Sequence, residues 1–347
     1  MITELVKIDD PFDAKSKEII KRAARIILSG GLVVMPTETV YGLGGNGLDA
    51  SAAKKIYAAK GRPSDNPLII HIADPSDAEK YCHVNDTYFS LAKAFMPGPL
   101  TVILPKKDII PMSVTGGLDT VAVRCPDHKV ANAFIREAGV PIAAPSANIS
   151  GRPSPTNADY VREDMDGKVD MIIDGGECEI GLESTIVKVN DDGSLILLRP
   201  GAVTYDALSI VCDKIEIASA VSDMIGENEK PLSPGMKYRH YAPSCPLVLL
   251  DGDDTAQIEF LKKESSEKKC AVLCYDEEIP FLSEASLHPI GKKDDLVSHA
   301  HNLFTILRDA DKSGCDIIYA HLPPMDGLGL ALYNRMIRAA SHTIKKV

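Results

Sequence analysis

Between residues 13 and 29, Ile19, Ile20, Ala23, Ala24, Ile26, Ile27 and Leu28 recur at helical spacing among charges, and Gly30-Gly31 end the run. An apolar stretch over 32–35, stopped by Pro36, predicts a strand, because proline removes a ladder donor. The same alternation continues. Helical patterns fall over 52–60, 86–95 and 130–138, and short apolar runs over 68–72, 100–104, 120–124, 140–144, 171–173, 184–189 and 195–198. Short connections and hairpin-like strand pairs predict a mixed, strongly twisted α/β sheet rather than a regular doubly wound one. From 218 to 243 the periodicity stops, and Pro231, Pro234, Gly235 and Pro243 mark a linker. Strands over 247–250, 271–274 and 317–320 then alternate with helical patterns over 258–263, 296–311 and 330–343, predicting a small Rossmann-like parallel sheet. The expected domains are therefore 1–217 and 244–347, joined by 218–243.

With 347 residues the chain can build two real cores. No run approaches the eighteen or so apolar residues of a membrane span, and the N-terminus lacks the pattern of a secretory signal, so a cytoplasmic protein without membrane contact is expected. Eight cysteines are scattered without a C-x-x-C pair, which points to reduced thiols rather than disulfides or structural zinc. Net charge is −11, and residues 1–205 carry 22 Lys and Arg against 27 Asp and Glu. That balance argues against a nucleic-acid coat, which needs a basic face. Small anionic ligands in a local basic pocket remain compatible with it.

The candidate chemistry centres on 140–156. An apolar strand ends at Pro145, and Ser146, Asn148, Ser150, Gly151 and Arg152 follow. A loop of small hydrogen-bonding residues beyond a strand's C-terminal end suits an anionic ligand. Upstream, Lys60-Gly61-Arg62-Pro63-Ser64 repeats the Gly-Arg-Pro-Ser of 151–154, and Asn66 and His71 follow it. Polar residues close several other apolar runs: Arg124 ends one, Ser184-Thr185 open one and Arg199 ends another. A buried Arg124 needs an anion, and a ligand carboxylate or phosphate is favoured here over an Asp or Glu side chain. His71 reads either as a hydrogen-bonded core histidine or as a ligand contact. In the linker, 233–243 gathers Lys237, Tyr238, Arg239, His240 and Tyr241, which reads as a lid touching a ligand. Gly42-Leu43-Gly44-Gly45-Asn46-Gly47 satisfies G-x-G-x-x-G, but a six-residue polar segment separates it from its strand, so a flexible turn is expected rather than a dinucleotide site.

Taken in order, Pro36-Thr37-Glu38-Thr39-Val40-Tyr41-Gly42-Leu43, Lys60-Gly61-Arg62-Pro63, Asn66-Pro67-Leu68, Pro97-Gly98-Pro99-Leu100-Thr101, Val123-Arg124-Cys125-Pro126 and Pro145-Ser146-Ala147-Asn148 resemble the YrdC-type threonylcarbamoyl-adenylate synthases. Ser233-Pro234-Gly235-Met236, His240-Tyr241-Ala242-Pro243 and Gly327-Leu328-Gly329 look like the long, two-domain form. The resemblance implies a YrdC-like twisted sheet with a concave pocket. It implies synthesis of threonylcarbamoyl-AMP and pyrophosphate from L-threonine, bicarbonate or CO2, and ATP with Mg2+. The product would pass to a tRNA threonylcarbamoyl transferase complex that modifies an adenosine beside the anticodon, with no stable tRNA binding by this chain. Carried over residue by residue, Lys60, Arg62, Ser64, Thr120, Ser146, Asn148, Ser154, Arg199 and Tyr238 would contact the nucleotide. Thr37, His71, Arg124, Ala144 and Ser184 would surround threonine, and Lys60, Arg62 and Arg124 would carry the catalytic charge. No protein metal ligand is implied. Two rivals are an RNA-binding module, opposed by the acidic balance, and a hydrogenase-maturation carbamoyltransferase, whose cysteine pairs are missing here.

Overall fold

A computed structural model describes residues 2–221, 240–282 and 285–347. They fall into two compact units. The first comprises 2–150, 155–179 and 183–221; the second comprises 151–154, 180–182 and the described residues from 240 onward.

In the first unit the strands are β1 (Glu4–Lys7), β2 (Val33–Met35), β3 (Gly42–Asn46), β4 (Ile69–His71), β5 (Leu100–Pro105), β6 (Thr120–Arg124), β7 (Ile142–Ala143), β8 (Met171–Asp174), β9 (Thr185–Val189), β10 (Leu195–Arg199) and β11 (Ile215–Ile217). They form one mixed sheet in the order β1-β8-β2-β3-β7-β4-β6-β5-β9-β10-β11. Alternate residues of each strand face opposite ways, and the two faces are buried differently. One face, with Val34, Ile70, Val102 and Val123, joins the largest apolar cluster. The other is covered over β8, β2 and β7 by helices Ala14–Leu28 and Lys129–Ala138, through Ile20, Ile27, Phe134 and Met171. Further along that second face, β4, β6, β5, β9 and β10 present a small cluster of Ile69, Ile103, Ala122, Ile186 and Leu198, joined by Ala220 of the turn Ser219–Val221.

Most expected elements are present within two or three residues of their predicted ends, and helix Asp86–Phe95 and strand β6 coincide with the prediction. One motif was misread. The glycines of 42–47, expected as a flexible turn, run as β3 between β2 and β7. A side chain at Gly44 would lie 2.8 Å from Ile142 and 2.9 Å from the Val33 carbonyl. Glycine is there so that three backbones can pack closely, which overrides its low strand propensity. Strand β1, helix Ala158–Met165 and strand β11 were not foreseen, since each is short and carries charge.

The second unit holds β12 (Leu247–Asp251), β13 (Cys270–Tyr275), β14 (Ser286–Gly291), β15 (Ile317–His321) and β16 (Ile344–Lys346), all paired in parallel in the order β14-β13-β15-β12-β16. Residues 340–343, predicted as helix, instead leave it: Ser341 and His342 take positive φ and turn the chain into β16. The connection after β12 runs towards β13, and that after β15 runs the other way, to β16. With right-handed crossovers the two leave on opposite faces of the sheet. Helix Asp254–Glu267 accordingly packs near the short helical turn Asp276–Phe281, whereas Leu296–Lys312 and Gly329–Ala339 touch each other.

Candidate functional site

Strand register brings the polar strand ends of the first unit into one row. His71 pairs with Ile142 on one side and Arg124 on the other; Arg124 pairs with Thr101, Thr101 with Ile186, and Ile186 with Arg199. Directly paired residues face the same way, so His71, Arg124, Thr101 and Arg199 share the face that carries Ile69, Ile103 and Ala122. Ala144 lies on this face too, its amide donating to Ile69.

Hydrogen bonds then tie the row together. The Thr101 and Ser184 hydroxyls lie 2.7 Å apart. Arg199 donates from Nε to the Ser184 carbonyl at 3.0 Å and from Nη2 to its hydroxyl at 3.1 Å. His71 donates from Nδ1 to the Ile142 carbonyl at 3.3 Å. Burial, and then the neighbouring Arg124 charge, lower its pKa to about 3, so the ring is neutral and Nε2 is left as an acceptor.

Arg124 already has an acidic partner in the protein. Its Nη2 lies 2.8 Å from Glu38 Oε2, and both side chains are about 95% buried. The expectation that a ligand, rather than Asp or Glu, would supply its anion is corrected to that extent. The ion pair is close but poorly angled. Neither Glu38 oxygen nor Arg124 Nη2 makes a hydrogen bond among the described residues; Asn66 Oδ1 is also buried without one, but it precedes β4, at the end of that strand away from His71. Leaving such groups unsatisfied costs about 1–3 kcal/mol each, more when charged. The three such atoms of Glu38 and Arg124 at one row mark a place where a polar ligand completes the bonding.

A second group adjoins the first through backbone. Leu43 donates to the Pro145 carbonyl and Ala147 to that of Tyr41, so the 145–148 loop lies along the segment carrying Thr37 and Glu38. Thr37 closes that segment into a turn: its hydroxyl donates to the Val40 carbonyl at 2.6 Å and accepts from the amides of Thr39 and Val40. Lys60, expected to hold phosphate, is buried, and its ammonium donates to the carbonyls of Ser146 and Asn148 and to Asn148 Oδ1. These bonds use the cation to shape the loop. Asn148 Oδ1 also receives the Ser146 hydroxyl. Arg62 donates to the carbonyls of Asn66 and Pro67, bracing the bend that follows the left-handed Gly61 cap.

The remaining assignments are spread more widely. Thr120 shares the face of Arg124 but begins β6, roughly 13 Å away at strand rise. Ser64 is exposed. Ser154 is buried in the second unit, where Arg308 donates to the Pro153 carbonyl at 2.6 Å. Tyr238, and with it most of the expected lid over 233–243, lies outside the described residues. Sequence reasoning passed over Glu38 and Thr101 as site residues. Each stands beside a strand end in a quoted motif, and the need of a buried arginine for a carboxylate was the signal that pointed to Glu38.

Two measurements follow from these bonds. Replacing Lys60 by Met keeps the length but removes the ammonium's bonds to the loop, and stability to urea should fall by about 1.5–3 kcal/mol, the range for hydrogen bonds to charged groups. His71 resists protonation when folded, whereas the unfolded ring takes a proton near pH 6.5. Its contribution is therefore present above pH 6.5 and lost as pH falls towards 3. His71→Leu should flatten the acid limb of the stability–pH curve over that interval; an unchanged limb contradicts the assignment.

Known proteins resemble this chain along nearly its whole length. A sequence model of the Sua5–YciO–YrdC family, described as "Telomere recombination", matches residues 25–201. A second, described as "Threonylcarbamoyl-AMP synthase, C-terminal domain", matches 203–341. The threonylcarbamoyl-AMP synthase of Bacillus subtilis (strain 168) is 46% identical over 325 residues, covering 92% of each chain. The protein of the same name from Pyrococcus abyssi (strain GE5 / Orsay) is 45% identical over 338 residues, covering 94% of this chain and 96% of the relative. The crystal structure of P. abyssi Sua5 complexed with L-threonine superposes with a TM-score of 0.89 at 43% identity, covering 99% of this chain and all of that one. The chain belongs to the threonylcarbamoyl-AMP synthase family, in its two-domain form.

Proposed function

We propose that this protein makes L-threonylcarbamoyl-AMP and pyrophosphate from L-threonine, bicarbonate or CO2, and ATP. The observation that carries this reading is the buried, unsatisfied bonding capacity of Glu38 and Arg124 beside a neutral histidine. An amino acid complements such a set: Arg124 meets its carboxylate, Glu38 accepts from its amine, and His71 Nε2 and the Thr101–Ser184 pair face its side chain. That a relative sharing 43% of its sequence was crystallised with L-threonine supports the choice of amino acid.

The reaction needs no protein nucleophile. The threonine amine attacks CO2 and loses a proton to give a carbamate. A carbamate oxygen then attacks the ATP α-phosphorus, and pyrophosphate leaves. What the protein supplies is position and charge balance. The loop that Lys60 holds presents Ser146 and Asn148 to the nucleotide, with Arg62, Ser64, Thr120, Ser154, Arg199 and Tyr238 as its further assigned contacts. Mg2+ enters as part of the nucleotide substrate, bound by its phosphates. Cys125 fits a packing role, since burial raises its thiol to about 12 and keeps the nucleophilic thiolate scarce. The product is an activated carbamate, to be consumed by the transferase complex that modifies tRNA in the cytoplasm. Incubation with ¹³C-bicarbonate tests the chemistry: mass spectrometry should find one label in threonylcarbamoyl-AMP, and an unlabelled adenylate of threonine itself would overturn it.

A further inference from the structure

The second unit contains a cavity of about 430 Å³ that the proposed reaction leaves unused. It opens beyond the C-terminal ends of β12, β13 and β15, between Gly252, Tyr275 and His321. There the connections of neighbouring strands depart to opposite faces, which is where open α/β sheets place their ligands. The volume lies within the roughly 300–1,000 Å³ of small-molecule sites.

The wall is flat and its bonding is only partly used. The Tyr275 ring stacks with His299 at 5.4 Å and 17°, and with His321 at 4.4 Å and 13°. Gln257 Nε2 donates to the Gly252 carbonyl, which leaves Oε1 to accept from His321 Nδ1. His321 Nε2 lies 2.8 Å from Glu278 Oε2, so both nitrogens of that ring are engaged. Capacity remains at two atoms. His299 Nε2 faces the Lys292 carbonyl at 2.8 Å and burial lowers the ring's pKa, so Nδ1 is an acceptor; neither it nor the Tyr275 hydroxyl has a partner among the described residues. The rest of the lining is largely apolar, with Leu273, Ile290, Leu303, Leu332 and Met336.

The charges select against phosphate. Both helix N-termini at the crevice are capped by carboxylates: Asp253 accepts from Ala256, and Asp295 accepts from Ser298. Asp254 and Asp294 add further negative charge, and Lys293 at the rim is already paired with Asp254. No glycine fingerprint follows β12. What fits is a flat, uncharged ring system bearing hydroxyl or amine groups. We infer that this crevice is a second ligand site, for a non-phosphorylated nucleoside.

Hydrogen–deuterium exchange on the full chain locates such binding, with adenosine as probe and AMP and inorganic phosphate as charged comparisons. Millimolar adenosine should slow exchange in peptides covering 252–257, 290–303 and 320–324, and AMP should do so less. Ala320→Leu, which fills the cavity, should abolish the effect. Tyr275→Phe keeps the stack and the fold but removes one hydroxyl, and should weaken apparent affinity by roughly threefold to tenfold, the value of one hydrogen bond. Absence of protection by adenosine, protection that survives Ala320→Leu, or stronger protection by AMP or phosphate each overturns the inference. L-Threonine added separately reads on the first unit alone. Its effect should persist in both variants, and its loss in the wild-type chain would count against the proposed reaction without touching the crevice.

Discussion

Arg124→Lys should lower affinity for L-threonine by about 1.5–3 kcal/mol, the worth of a charge-assisted hydrogen bond, or roughly tenfold to 150-fold in Kd. Lysine can still pair with Glu38, so the buried carboxylate is not abandoned and the fold should survive. What lysine lacks is the planar fork that can bind Glu38 and a substrate carboxylate together. ATP affinity should change much less, because Arg124 itself is assigned to the amino acid. Calorimetric titration of both ligands separates the two effects. Equal threonine binding in the variant and the parent chain would remove Arg124 from the site.

Selectivity for the threonine hydroxyl should be larger still. A pocket whose polar groups are arranged to bond a hydroxyl can reject the analogue lacking it by as much as ~10⁴, since the pocket's own groups are then left unmet. L-Valine has the shape of threonine without that hydroxyl. Beside it the neutral His71 acceptor and the Thr101–Ser184 pair would sit in a buried site without their partner. Steady-state pyrophosphate release with each amino acid gives the ratio of kcat/KM. Comparable values for valine and threonine would remove threonine as the substrate.

Much of this fold was legible because its core strands are short apolar runs ended by proline or a charge, as 32–35 and 120–124 show. The β3 strand was not, because four of the six residues from 42 to 47 are glycine, and only the approach of Val33 and Ile142 explains them. Site residues could be recognised as polar strand ends, but their alignment could not. That His71, Arg124, Thr101 and Arg199 form one row depends on pairings between residues as far apart in sequence as Thr101 and Ile186, and no local pattern records them. The role of Lys60 was hidden for a related reason. A lysine ending a helix and preceding Gly-Arg-Pro suggests phosphate, and only the folded chain shows its ammonium turned onto the carbonyls of 146 and 148.

The substrate requirement for pyrophosphate release tests the central reading most directly. Purified protein with ATP should release pyrophosphate only when L-threonine and bicarbonate are both present, and omission of either should return the rate to background. Equal release without bicarbonate would mean that the amino acid itself is adenylated; equal release without threonine would mean simple ATP cleavage. Either result would contradict the account.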